Sequence, residues 1–70
     1  MNRLEELQGW ADAIRRDSGL NVQVKPYYQD YQAVLKRPEG GLKILKNSSY
    51  ADLHAYLEGF LRAIHLTGGE

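Results

Sequence analysis

Leu20-Asn21-Val22-Gln23-Val24-Lys25 and Tyr31-Gln32-Ala33-Val34-Leu35-Lys36 are the two stretches that decide the fold. In the first, Leu20, Val22 and Val24 alternate with polar residues, and in the second Tyr31, Ala33 and Leu35 hold the same parity. That is the period-two pattern of strands with one buried face. Pro26 closes the first strand and Tyr27 to Asp30 reads as a turn. Pro38-Glu39-Gly40-Gly41 is a strong turn signal ahead of a third strand, Leu42 to Lys46. Two hairpins in succession make an antiparallel meander.

The segments on either side change to helical spacing. Leu4, Leu7, Ala11 and Ile14 form one stripe with Trp10 on its flank, which predicts an amphipathic helix over residues 3–18. Asn2 caps its first amides, Glu5 and Glu6 complement the positive end of its dipole, Arg15 and Arg16 the negative end, and Gly19 stops it. After Asn47-Ser48-Ser49, Ser49 with Asp52 resembles a capping box. Tyr50, Leu53, Leu57, Phe60, Leu61 and Ile64 then share one face of a second helix running to about Leu66. Gly59 lies within that helix, where it either permits a close backbone approach or is simply tolerated. Thr67-Gly68-Gly69-Glu70 is expected to fray.

The expected fold is therefore α+β, in the order α-β-β-β-α, a three-stranded antiparallel meander with two helices packed on one face. The 70 residues allow one domain, 1–70, with an ordered core of about 3–66. With Leu20, Val22, Val24, Tyr31, Ala33, Leu35, Leu42 and Ile44 turned to the helices, strand parity leaves Gln23, Lys25, Gln32, Val34, Lys36, Lys43 and Leu45 on the open face. Tyr27 and Tyr28 stand at its rim. Basic, amide, apolar and aromatic side chains together suit a protein partner or a homodimer.

Composition narrows the function classes. Hydrophobic residues at 43% and charged ones at 26% belong to an ordinary globular chain. The absence of cysteine removes disulfides and thiolate metal sites and favours a reducing, cytoplasmic setting. No signal peptide or membrane-spanning run is visible, so no membrane association is expected. The formal net charge is zero, which argues against a dedicated nucleic-acid binder. Yet residues 20–46 hold Lys25, Lys36, Arg37, Lys43 and Lys46 against only Asp30 and Glu39.

No glycine-rich phosphate loop, dinucleotide fingerprint, nucleophile elbow or zinc spacing occurs. His54 and His65 lie eleven positions apart, about 16 Å along a helix, too far to share one metal. His54 and Glu58 supply two ligands one turn apart and no third. No cofactor, metal or catalytic constellation is expected. The chain reads as a non-enzymatic accessory protein that binds another protein or itself through the open sheet face. The alternative is a weak nucleic-acid binder using Lys25, Lys36, Lys43 and Lys46 with Tyr27 and Tyr28.

The element order is similar to that of double-stranded-RNA-binding domains, in topology alone. Their lysine-rich lead-in to the second helix is replaced here by Asn47-Ser48-Ser49-Tyr50-Ala51-Asp52, so the family's RNA function does not carry over. HicA-type messenger-RNA interferases share the order too, but they need a strand histidine and this chain has none before His54. Tyr50-Ala51-Asp52-Leu53-His54-Ala55-Tyr56-Leu57-Glu58-Gly59-Phe60-Leu61 and Tyr27-Tyr28-Gln29-Asp30-Tyr31 resemble the aromatic helix and tyrosine-rich hairpin of small bacteriophage and prophage proteins. That resemblance implies a compact accessory protein that binds a host or phage component in the bacterial cytoplasm.

Overall fold

Helix α1 spans Arg3–Ser18 in the computed structural model, which describes residues 2–68. Its ends are built as the sequence implies. Asn2 Oδ1 accepts the Glu5 amide at 2.8 Å, and Gly19, at φ 79°, donates its amide to the Arg15 carbonyl at 2.8 Å. Strands β1 (Val22–Tyr27), β2 (Asp30–Lys36) and β3 (Leu42–Ser48) follow, then helix α2 (Tyr50–Gly68). The sheet order is β1-β2-β3, with both neighbouring pairs antiparallel, so the α+β meander is confirmed.

Strand limits shift relative to expectation. Pro26 does not end β1, which runs on to Tyr27 because a proline on an edge strand sacrifices no ladder hydrogen bond. Strand β3 continues to Ser48, and α2 extends past Leu66, where Thr67 Oγ1 bonds the Ala63 carbonyl at 3.0 Å. Ser49 Oγ lies 3.5 Å from the Asp52 amide at the start of α2. The fraying expected at Gly69-Glu70 falls outside the described residues.

Leu7, Ala11 and Ile14 of α1 meet Val22, Val24 and Ala33 of the sheet and Leu53, Leu57 and Leu61 of α2 in one buried cluster. Contacts between Glu6 and Tyr50, Trp10 and His54, and Asp17 and His65 advance in step along both helices, so α1 and α2 run parallel. Helix α1 covers β1, while α2 leans mainly on α1 and touches β2 and β3 more sparsely. A Cβ built on Gly59 meets nothing within 4 Å, so this glycine is tolerated rather than needed for close packing.

The main departure from simple strand parity is in β3. Tyr31, Gln32 and Ala33 pair with Ser48, Asn47 and Lys46, but Val34, Leu35 and Lys36 pair with Ile44, Lys43 and Leu42. Leu45 is the extra residue of a β-bulge. A bulge sets two residues against one, so side-chain parity reverses across it. Leu42 and Ile44, expected in the core, therefore join Lys36 and Val34 on the open face and are 55% and 58% exposed. Lys43 and Leu45, expected on the open face, lie on the helix side. Leu45 packs against the core, and Lys43 shares the face of its partner Leu35.

The free edge of β1 is closed to further pairing. Lys36 donates to the Asn21 carbonyl at 2.9 Å, so alternate residues from Asn21 turn their backbone groups to β2, and Val22, Val24 and Pro26 turn theirs outward. The Val22 amide bonds the Leu20 carbonyl at 2.9 Å and the Val24 amide bonds Gln8 Oε1 at 3.1 Å. Pro26 has no N–H to offer.

The bulge makes neighbouring positions respond oppositely. Leu45→Ala is expected to cost about 1–2 kcal/mol by removing half-buried methyl groups, whereas Ile44→Ser stays within about 0.5 kcal/mol. Urea unfolding of both variants checks this, and the reverse order would refute the register.

Candidate functional site

Side chains on the open face are ordered by the strand register. Tyr27 stands beside Asp30, Lys25 beside Gln32 and Asn47, Gln23 beside Val34 and Ile44, and Lys36 beside Leu42. Val34 is only 3% exposed although no layer covers this face, because Gln23 and Ile44 flank it across the ladders. Leu42, Val34 and Ile44 form a continuous apolar strip across β2 and β3, with Lys36 beside Leu42 and Lys25 one row past Val34.

Of the residues expected at the site, Gln23, Lys25, Tyr27, Gln32, Val34 and Lys36 do share the open face. Lys43 and Leu45 do not. The four lysines of the nucleic-acid alternative are divided: Lys25 and Lys36 lie on the open face, while Lys43 turns to the helix side and Lys46 Nζ sits 5.9 Å from the Tyr56 ring centroid of α2. Asn47 was left out because the third strand was expected to end at Lys46, while Leu42 and Ile44 are the members that strand parity missed. The signal for them was the doublet Ile44-Leu45 between Lys43 and Lys46, two consecutive apolar residues that no uninterrupted period of two can place.

The β1–β2 hairpin closes with a two-residue loop, Tyr28-Gln29, between the paired Tyr27 and Asp30. Tyr28 has φ 57°, the only non-glycine residue with positive φ among those described, and is 91% exposed. Positive φ at the first central position is a place for glycine, since a Cβ there crowds the backbone. Its ring meets Tyr27 edge-on, centroids 4.6 Å apart and planes 79° apart. Two aromatic side chains thus project from the end of the open face where Lys25 lies.

The chain's polar side chains converge elsewhere, along the seam between the helices. Trp10 Nε1 donates to His54 Nε2 at 3.2 Å, which puts the proton of a neutral imidazole on Nδ1, toward Glu58 Oε1 at 3.8 Å. Tyr50 donates its hydroxyl to Glu6, and Arg3 lies 5.0 Å from the Tyr50 ring centroid. Further along, His65 Nε2 is 2.6 Å from Asp17 Oδ2. These contacts tie the helices together. Among the described residues no group of three His, Cys, Asp or Glu side chains is placed to hold a metal ion. None of their helices is long and apolar enough to cross a membrane.

Protein-family models, curated proteins and solved structures were compared with the chain, and none matches it.

Two measurements follow from this geometry. Tyr28→Gly relieves about 1–2 kcal/mol of left-handed strain against about 0.5–1 kcal/mol of added chain entropy, so the variant should be as stable as the parent or up to about 1 kcal/mol more so. A clear loss in urea would show that the Tyr27 contact outweighs the strain. The second concerns pH. The hydrogen bond from His65, then that from Arg16, holds the Asp17 carboxyl below its ordinary 3.8, and the bond to Glu6 holds the Tyr50 hydroxyl above its ordinary 10.0. The Asp17 contribution is complete above the ordinary carboxylate range and is lost as pH falls through the lowered value. The Tyr50 contribution is complete below the ordinary phenol range and is lost as pH rises through the raised one. Asp17→Asn should flatten the acid limb of a thermal-midpoint profile and Tyr50→Phe the alkaline limb; unchanged limbs would refute the linkage.

Proposed function

We propose that this protein acts by binding rather than catalysis, and that the open sheet face docks a protein whose contact surface has an apolar centre and an acidic margin. The observation that carries this reading is the pair Leu42 and Ile44, neighbours on one face of β3 and more than half exposed, with the buried Val34 beside them on β2 and the cations Lys25 and Lys36 on the same face. Apolar side chains adjoining in this way supply the dry centre of an interface, and the flanking cations select an acidic rim. Tyr27 and Tyr28 extend the surface at one end, and tyrosine is among the residues that most often anchor interfaces.

Size sets the expected strength. Strands about 4.8 Å apart and about six residues long give a face of roughly 15 by 20 Å, well short of the ~800 Å² that each partner buries in a standard stable interface. The complex is therefore weak and reversible unless the hairpin tyrosines add to it.

Solution mass over a range of concentration and salt, on the wild type and on Leu42→Glu with Ile44→Glu, tests the reading first against a second copy of the chain. A dimer that survives high salt and vanishes in the folded double variant identifies that copy as the partner. If the protein is monomeric, crosslinking in cells follows, with Leu66→Glu as a control because Leu66 is exposed on α2, away from the face. A crosslinked protein lost in the double variant and kept in Leu66→Glu supports the reading. Equal capture by all forms overturns it, as does binding only to single-stranded oligonucleotide that weakens steeply with salt.

A further inference from the structure

At the end of the sheet opposite the tyrosine hairpin, the two helices leave part of the inner face bare. Helix α1 ends at Ser18 and the chain turns at Gly19 into β1, so Leu20 is 40% exposed although its parity points it toward the core side. Between this corner and the end of β2 lies an open cavity of about 350 Å³. Leu20, Leu35 and Pro38 give it apolar walls; Asn21, Lys36 and Arg37 complete the lining.

The cations are the informative part. Every ion pair among the described residues involves Arg16, His54, Arg62 or His65, so neither Lys36 nor Arg37 has an acidic partner. Glu39, in the adjoining turn, forms no ion pair either. The negative end of the α1 dipole faces this corner but is offset by Arg15 and Arg16 in its last turn, and the Arg15 carbonyl already accepts the Gly19 amide. Arg37 is also held in place. Its amide donates to the Gly41 carbonyl and its carbonyl accepts from Gly40, both at 3.1 Å, while Pro38 stiffens the next position.

We propose that this cavity is a binding site for a small amphiphilic carboxylate, the anionic head taken by Arg37 and the hydrocarbon tail laid on Leu20, Leu35 and Pro38. Charge decides the head: a guanidinium without an acidic partner favours an anion, and its fork matches a carboxylate. Volume decides the tail. At about 30 Å³ for each water-sized group, the cavity holds roughly ten to twelve non-hydrogen atoms, a chain of about seven to nine carbons with its carboxylate. A site half open to water and of this size binds weakly, with a dissociation constant on the order of a millimolar. The site shares only the lining residue Lys36 with the open sheet face and does not rest on the function proposed for that face.

Octanoate titrated into isotope-labelled protein below its micelle concentration, followed by amide chemical shifts, is the test. Acetate, octylammonium and octanol serve as comparison ligands. Saturable shifts confined to Leu20, Asn21, Leu35, Lys36 and Arg37 are expected with octanoate, and binding about tenfold weaker with each comparison ligand. Arg37→Gln should weaken octanoate by about tenfold while leaving amide dispersion intact, because the Arg37 side chain is exposed. Leu20→Ser should weaken it independently of charge. Acetate binding as tightly as octanoate would reduce the site to surface ion pairing, and octylammonium or octanol binding as tightly would reduce it to apolar adsorption. Either result overturns the proposal, and so do shifts centred on Val34 and Ile44 or no saturable shift at all.

Discussion

Everything in this molecule is arranged around one helix. Leu7, Ala11 and Ile14 of α1 are fully buried, and they touch the sheet on one side and α2 on the other. Helix α2 would be poorly held without them, since its direct contact with β2 and β3 is sparse. The polar seam follows the same logic. Glu6, Trp10 and Asp17 reach from α1 to Tyr50, His54 and His65, so the second helix is fixed in direction and rotation by partners on the first. In a domain this small, where little surface can be buried, one element that serves two interfaces is an economical way to form a core.

Coverage then explains composition. Because α1 sits over β1 and α2 leans on α1, the third strand is the least sheltered part of the sheet. The bulge at Leu45 answers this by turning Leu45 and Lys46 toward α2, where the lysine ammonium stands over the Tyr56 ring. The same bulge sends Leu42 and Ile44 to the other side. One inserted residue thus supplies the core and creates the apolar strip on the open face. The two effects cannot be separated by evolution or by design without moving the strand.

Much of this was legible in the chain itself, and what was not has a definite cause. Helix α1 could be read to the residue because stripe, cap and stop all agree between Asn2 and Gly19. The strands could be found from alternation, but their ends could not, since Pro26 and Asn47 are tolerated on edge strands for reasons of pairing that local sequence does not encode. On the open face, β1 and β2 kept parity, and Gln23, Lys25, Gln32, Val34 and Lys36 fell where period two placed them. In β3 the assumption of unbroken alternation assigned Leu42, Lys43, Ile44 and Leu45 to the wrong sides. Tyr28 was visible as an aromatic residue in a turn, while its left-handed backbone is a property of the two-residue loop and needs the register to be seen. The cavity beside Leu20 was hidden for a similar reason: it is made by where α1 stops relative to the sheet.

The closed edge of β1 bears on how this protein can assemble. Sheets that add strands at both edges can propagate without limit, and a small chain with exposed isoleucine and leucine would be at risk of doing so in a crowded cell. Here the amide of Val22 is taken by its own chain, that of Val24 by Gln8, and Pro26 has none, so one side of the sheet is a dead end. Any growth by strand pairing must stop after one step at β3. Antiparallel pairing of two copies through β3 would leave two such closed edges outermost, and a sheet made that way would end at six strands.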